Sequence, residues 1–301
     1  MIRYLGHNEI DKARWDECLD NLPACKPYPY SWYLDIMVPH WEALVDDDYD
    51  SVFPVPAFRK YGFYYIATPV FLQQLGIYSP DNNLSFKIDE YLAFMPEFYR
   101  LIDMCIAQDP SGSDFRIGIK DNHELDLSKS YALMWEGFSS DCRRNIRLSL
   151  NERFTVEENV SPSEVIGLFR RNSGRGLRGV KNRDYRKLEM LMQYCLANEK
   201  GRLVGISNVS GQLIYGLFAV LTPGSVTLLF TATSDESRSR RAGYFVLNSL
   251  IEEYSGSNRI LDFAGSSIPT VADYNRSFGC VTVPYYHIYR NRLPWPVKIF
   301  K

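Results

Sequence analysis

The 301-residue chain exceeds the usual size of a single hydrophobic core, which predicts two medium-sized domains. Its 34 Lys and Arg against 36 Asp and Glu leave a formal net charge of -2, which excludes a globally basic nucleic-acid binder; 46% hydrophobic and 23% charged residues are the composition of an ordinary soluble globular protein. No stretch approaches the ~20 consecutive apolar residues of a membrane helix, and the opening Met1-Ile2-Arg3-Tyr4-Leu5-Gly6-His7 has no long apolar region of a secretory signal. A cytoplasmic location without membrane insertion is therefore expected.

Along the chain, a short helix is predicted over 11–19, then a proline-broken loop over 23–29 with an aromatic run of Tyr28, Tyr30, Trp32 and Tyr33. Burial energy favours these rings as a plug closing a core over a stacking platform. Asp46-Asp47-Asp48 reads as a solvated turn, since three consecutive carboxylates point in different directions. Strands are expected over 51–58 and 63–68 around the turn Arg59-Lys60-Tyr61-Gly62, with another strand over 71–79, a helix over 88–106 and a strand over 115–119. After 127–135, Ser139 and Ser140 open a helix carrying Arg143, Arg144 and Arg147. The stretch 170–187 then sets Arg170, Arg171, Arg175, Arg178, Lys181, Arg183, Arg186 and Lys187 against the single acid Asp184, either a solvated charged loop or a hook for phosphate-bearing partners. In the second half, 202–207 and 212–221 form a hairpin, 226–232 a strand, 245–254 a helix and 259–263 a strand. Hairpin, strand, helix and strand thus occur twice, which argues for duplicated domains over 1–128 and 129–301. Six cysteines lack CxxC spacing and only four histidines accompany them, so neither a metal site nor a disulfide framework is expected. Cys280 has no histidine closer in sequence than His287 and reads as a structural thiol.

The stretch 225–280 carries the chemistry. A strand ends in polar residues, the basic turn Arg238-Ser239-Arg240-Arg241-Ala242-Gly243 follows, and a helix starts at once. The first amides of a helix have no internal partner and its dipole favours negative charge, so such a turn suits a phosphate or pyrophosphate. Arg240-Arg241-Ala242-Gly243 resembles the acyl-donor loop of the GNAT acyltransferase superfamily, with Phe245 standing where that pattern closes on Gly or Ala. The loop Leu261-Asp262-Phe263-Ala264-Gly265-Ser266 and the later Tyr274, Phe278 and Gly279 look like the Fem-type branch, whose members transfer amino acids from aminoacyl-tRNA onto peptidoglycan precursors. The Ser139–Ile146 connector resembles that of Bacteroidetes-type Fem-like proteins.

The resemblance implies an α/β (α+β) protein of two tandem GNAT-like domains, each a mixed, mostly antiparallel sheet flanked by helices, with the donor in the second. The implied reaction is acyl or aminoacyl transfer to an amine, from acetyl-coenzyme A or aminoacyl-tRNA, onto an amine-bearing small molecule or a muropeptide precursor. Arg240, Arg241 and Gly243 are the expected donor contacts. Tyr274 and Asp262 are the candidate catalytic side chains, although a carboxylate at a strand end more often accepts loop amides. Gln73, Gln74, Tyr78, Ser266 and Arg276 are the expected acceptor contacts, the two glutamines because buried amides need partners. Two alternatives remain open: an acetyl-coenzyme A-dependent N-acetyltransferase of another amine, and a non-catalytic ligand-binding protein of the same fold.

Overall fold

The computed structural model describes residues 1–46, 48–80, 88–157, 159–177, 179–265 and 268–295. Two compact units divide the chain: Met1–Asp121 with Pro284–Lys301, and Asn122–Val283. The sequence pattern places one divide, between 128 and 129; the contacts place two, and they return the C-terminal stretch to the first unit.

The first unit begins with β1 (Ile2–Leu5), α1 (Lys12–Asp20) and α2 (Ser31–Met37). Helix α1 starts where Asp11 accepts hydrogen bonds from the amides of Ala13 and Arg14, a side-chain N-cap. Strands β2 (Glu42–Asp46) and β3 (Ser51–Val55) join β1 in a three-stranded antiparallel sheet. Trp15, Tyr28, Tyr33 and Trp41 are fully buried around it, so the aromatic run is core. The strand expected over 51–58 is two strands. Pro56, which has no N–H to give to a ladder, separates β3 from β4 (Ala57–Lys60), and β4 pairs with β5 (Phe63–Ala67) as the expected hairpin.

Two further expectations are corrected here. Residues 71–79 make only isolated bridges, Val52 to Tyr78 and Leu75 to Ile106. Phe71 takes a left-handed φ of 64°, and the Gln108 amide occupies both the N–H (3.1 Å) and the C=O (2.9 Å) of Ile77, in place of a neighbouring strand. The helix expected over 88–106 is only α3 (Ile88–Ala93); beyond Pro96 the chain becomes β6 (Tyr99–Ile106), parallel to β5. An apolar run buried on both faces has no period of two, so pattern alone does not tell it from a helix. Strand β7 (Arg116–Asp126) crosses from the first unit into the second.

The second unit continues with α4 (Tyr131–Gly137), α5 (Ser140–Leu150), β8 (Thr155–Glu157), α6 (Pro162–Arg171) and α7 (Asn182–Ala197). Then come β9 (Gly201–Ser207), β10 (Leu213–Leu221), β11 (Ser225–Thr233), α8 (Asp235–Ser239), α9 (Ala242–Tyr254), β12 (Ile260–Asp262) and α10 (Pro269–Arg276). Its strands lie in the order β7-β12-β11-β10-β9-β8, antiparallel except for β11 and β12. Apolar side chains of α4, α5 and α9, among them Met134, Ile146, Val246 and Ile251, close one core over this sheet with Phe138 and Phe278. Finally β13 (Val281–Asn291) returns to the first unit and pairs antiparallel with β6. Each unit therefore contains an antiparallel hairpin followed by a helix and a parallel strand: β4, β5, α3, β6 in the first and β10, β11, α9, β12 in the second. In that correspondence β5 matches β11, and Gln73 and Gln74 follow β5 instead of lying on it.

Candidate active site

The parallel pairing of β11 with β12 covers only three residues, ending at Thr227 opposite Asp262. Beyond it β11 runs on to Thr233 with no strand paired to that edge among the described residues, while β12 ends at Asp262. Into this splay come the first turn of α9 and the ring of Tyr274 from α10. The result is a cavity of about 220 Å³ lined by Tyr215, Thr231, Thr233, Arg241, Gly243 and Tyr274, with Ser237, Arg238 and Tyr244 completing the wall.

The turn before α9 is built as its sequence implies. Ser234 caps α8, accepting from the Ser237 amide, and the helix stops at Arg240. Arg241 then takes φ 64°, a left-handed conformation that re-aims the chain so that α9 begins at Ala242. Consecutive arginines consequently face different partners. Arg240 reaches Glu152 (2.8 Å) and Glu236 (3.2 Å) and lies 4.9 Å over the Phe154 ring, away from the cavity. Arg241 donates to Asn145 Oδ1 (2.9 Å) and to the Ser239 carbonyl (3.1 Å) and lines the cavity; Arg238 lines it too, donating to Thr233 and to Asp235. Of the three expected donor contacts, the cavity brings together Arg241 and Gly243. Arg238 also lines the cavity, and Arg240 does not.

Gly243 sets the approach of Tyr274. A Cβ on Gly243 would stand 3.1 Å from the Tyr274 hydroxyl and 3.8 Å from that of Tyr215. The Tyr274 ring is held edge-on by Tyr244 (4.9 Å between centroids) and Phe278 (5.3 Å). Burial, reinforced by the Tyr215 phenol, pushes the Tyr274 pKa well above that of an ordinary tyrosine, and burial pushes Tyr215 up as well. Both are protonated hydroxyls over the whole physiological range, able to donate a hydrogen bond and unable to serve as a resting base.

The remaining expected residues lie elsewhere. Asp262 is fully buried and accepts from Asn122 Nδ2 (2.8 Å) and the Ala264 amide (3.1 Å), the fixed loop-holding carboxylate. Arg276 is on the exposed side of α10, paired with Asp273. Ser266 lies outside the described residues. Gln74 and Tyr78 line a different cavity, of about 220 Å³, within the first unit, together with Cys25, Lys26, Ile77 and Gln108. Gln74 is 6% exposed and its Oε1 has no hydrogen-bond partner among the described residues, whereas Gln73 is not among that cavity's lining residues. Cys280 gives its thiol to the Asn275 carbonyl (3.2 Å), and burial raises it to about 11. Among the described residues no group of three or more His, Cys, Asp or Glu is placed to hold a metal, and no helix is long and apolar enough to cross a membrane. Of the basic stretch, Arg170 and Arg171 end α6 and Arg183, Arg186 and Lys187 lie in α7, where Arg170 and Arg186 line a separate groove of about 380 Å³ with Asn182 and Tyr185; Arg178 lies outside the described residues. Sequence reasoning missed Tyr215, a tyrosine inside the otherwise apolar β10, whose only signal is that a buried hydroxyl needs a reason to be there.

No protein-family model matches the chain, and no curated protein matches it in sequence. Solved structures do match in fold. The crystal structure of FemX superposes with a TM-score of 0.69 at 11% identity over 99% of both chains. A tandem GNAT protein from the clavulanic acid biosynthesis pathway matches with a TM-score of 0.51 at 12% identity over 98% of this chain and 99% of its own. L-PGS from Bacillus licheniformis matches with a TM-score of 0.51 at 13% identity, over 86% of this chain and 87% of its own. The chain has the tandem GNAT-like fold of these proteins: two mixed α/β units with helices flanking their sheets.

Proposed function

We propose that the protein is an N-acyltransferase that binds an activated acyl donor in the β11/α9 splay and transfers the acyl or aminoacyl group to an amine. The observation that carries this reading is the cavity itself: two guanidinium groups and the opening turn of a 13-residue helix surround an uncovered strand edge and a buried phenol. Arg238, Arg241 and the first amides of α9 suit the phosphates of a donor. Past Thr227 the edge of β11 has no paired strand among the described residues, and the donor carbonyl, with the oxyanion that forms when the amine nitrogen bonds to its carbon, is assigned to lie against it. When the carbonyl re-forms, the bond to the leaving thiolate or alkoxide breaks and that atom needs a proton. Tyr274, kept protonated by burial, is the group placed to give it or to hydrogen-bond the departing atom. The amine's own proton passes to solvent or substrate. The Fem-like form of this reading, aminoacyl transfer to a cell-wall peptide precursor, is supported by the full-length match to FemX; acetyl-coenzyme A is the competing donor.

Melting-point titrations with acetyl-coenzyme A, aminoacyl-tRNA and a uridine-diphosphate-linked muropeptide test the reading, because a ligand that binds only the folded state raises the apparent stability. The active donor should stabilise the parent, and Arg241→Ala should weaken it at least tenfold, about one charge-assisted hydrogen bond. Arg240→Ala should leave donor affinity unchanged and lower stability by about 1 kcal/mol through its lost ion pairs. A donor whose affinity ignores Arg241, or the absence of any stabilising donor, overturns the assignment.

A further inference from the structure

Away from both cavities, one end of the first unit exposes aromatic rings among cations. Strand β4 is an edge of its sheet, and the β4–β5 turn is made by Tyr61 (φ 50°) and Gly62 (φ 82°), the paired left-handed conformation of a tight hairpin that projects its tip. Tyr61 is 85% exposed, Trp295 78%, Phe98 45% and Tyr64 39%. Single exposed aromatics are ordinary, but here the Tyr64 and Phe98 rings meet at 5.3 Å, and they line one groove of about 460 Å³ with Phe63, Arg100, Gly62, which follows Tyr61, and Pro294, which precedes Trp295. Trp295 follows directly on Pro294.

The charge around this patch is mostly positive. Arg59, Lys60 and Arg100 stand in it, and Arg290 and Arg292 share the single carboxylate of Asp114; Glu97 is the only other acid within the stretches 57–64, 97–100 and 290–295. One face each of Tyr61 and Tyr64 carries a cation. Arg59 lies 5.2 Å over Tyr64, Lys60 lies 5.1 Å over Tyr61, and Phe98 abuts Tyr64 at an interplanar angle of 67°. A nucleic acid would need those faces free for base stacking. A bilayer surface needs the opposite: amphipathic rings that enter at headgroup depth by their edges, with cations beside them at the level of the phosphates.

We propose that this patch docks the protein on anionic phospholipid surfaces, peripherally, through Tyr61, Trp295 and Phe98 with Arg59, Lys60 and Arg100 as the headgroup contacts. The assignment stands independently of the transfer reading, since it uses none of the residues of the splay.

The test is sedimentation of the full chain with phosphatidylcholine vesicles, with and without 30 mol% phosphatidylglycerol (an amount of about one third, enough for a strong negative surface potential). Binding to the anionic vesicles alone is expected, weakening in high salt. The double variants Tyr61→Ser with Trp295→Ser, and Arg59→Glu with Lys60→Glu, should each lower the partition coefficient at least tenfold. Should a variant fail to fold, the unaltered protein still reports: Trp15, Trp32 and Trp41 are buried and the half-buried Trp135 belongs to the second unit, so the quenching of tryptophan emission by brominated lipid that is lost in Trp295→Phe is that of the patch. No partition, equal partition on neutral vesicles, or anionic binding without quenching would overturn the proposal. So would a dimer in light scattering that Tyr61→Ser dissolves, or tighter binding to poly(U) than to vesicles.

Discussion

Gly243 is the residue on which the geometry of the splay turns. A methyl group there would press on the Tyr274 hydroxyl at 3.1 Å, yet the position lies in the first turn of a helix, where Ala is preferred over Gly by up to ~1 kcal/mol. Stability and binding should therefore move apart. Gly243→Ala is expected to keep or raise the melting point while donor affinity falls about tenfold, measured by parallel denaturation and donor titration; a joint fall in both would make Gly243 a packing residue only. The thiols give a pH dependence of definite sign. Burial holds Cys142 and Cys280 at about 11, whereas an unfolded chain loses these protons near ~8.5. Between those values the folded state binds more protons, so stability is fully present below about pH 8 and is lost as pH rises toward 11. Tyrosines raised by burial, Tyr215 and Tyr244 among them, add a loss of the same sign above about pH 10. Melting points should be level between about pH 7 and 8 and fall steadily above, with a shallower fall in Cys280→Ala.

At the scale of elements, local signals decided where helices start and turns fall. Ser161 and Glu164 form a reciprocal capping box, with Ser161 N–H to Glu164 Oε2 at 2.8 Å and Glu164 N–H to Ser161 Oγ at 3.3 Å, and Pro162 supplies the first helical residue of α6. Ser161→Ala should cost about 1 kcal/mol and raise amide exchange first in α6, with the hairpin β9–β10 unaffected; a loss spread evenly over the unit would contradict a local cap. The turn before α9 is equally local, and its left-handed residue is Arg241, not a glycine. That single conformation separates the duties of two adjacent arginines that composition cannot distinguish. Residues 99–106 show the converse. Tyr-Arg-Leu-Ile-Asp-Met-Cys-Ile follows a helix and shares its apolar spacing, yet it lies between β5 and β13 as a strand, because both its edges find partners. No window of ten residues contains that information.

For the whole molecule, the chain visits the first unit twice, and β13 pairs with β6 across six residues from Tyr286 to Asn291. Removing 284–301 should therefore expose β5 and β6 to amide exchange while β10 and β11 keep their protection; loss confined to the second unit would contradict the division. The sequence by itself determined the parts that neighbours in the chain can specify: the tandem α/β plan, the hairpin, strand, helix and strand of the second half, the basic turn that opens α9, and the pairing of Arg241 with Gly243 in one turn. Capping and turn residues act over a few positions, so their outcome is written where they stand. Only the tertiary structure decided that β11 outruns β12, that Tyr215 joins Tyr274 over Gly243, that Arg240 spends its charge on Glu152 and Glu236, and that Gln74 belongs to a cavity of the first unit. Each of those depends on which segment arrives from far along the chain to bury a face or satisfy a charge, and a strand edge or a guanidinium is compatible with many such partners until packing selects one.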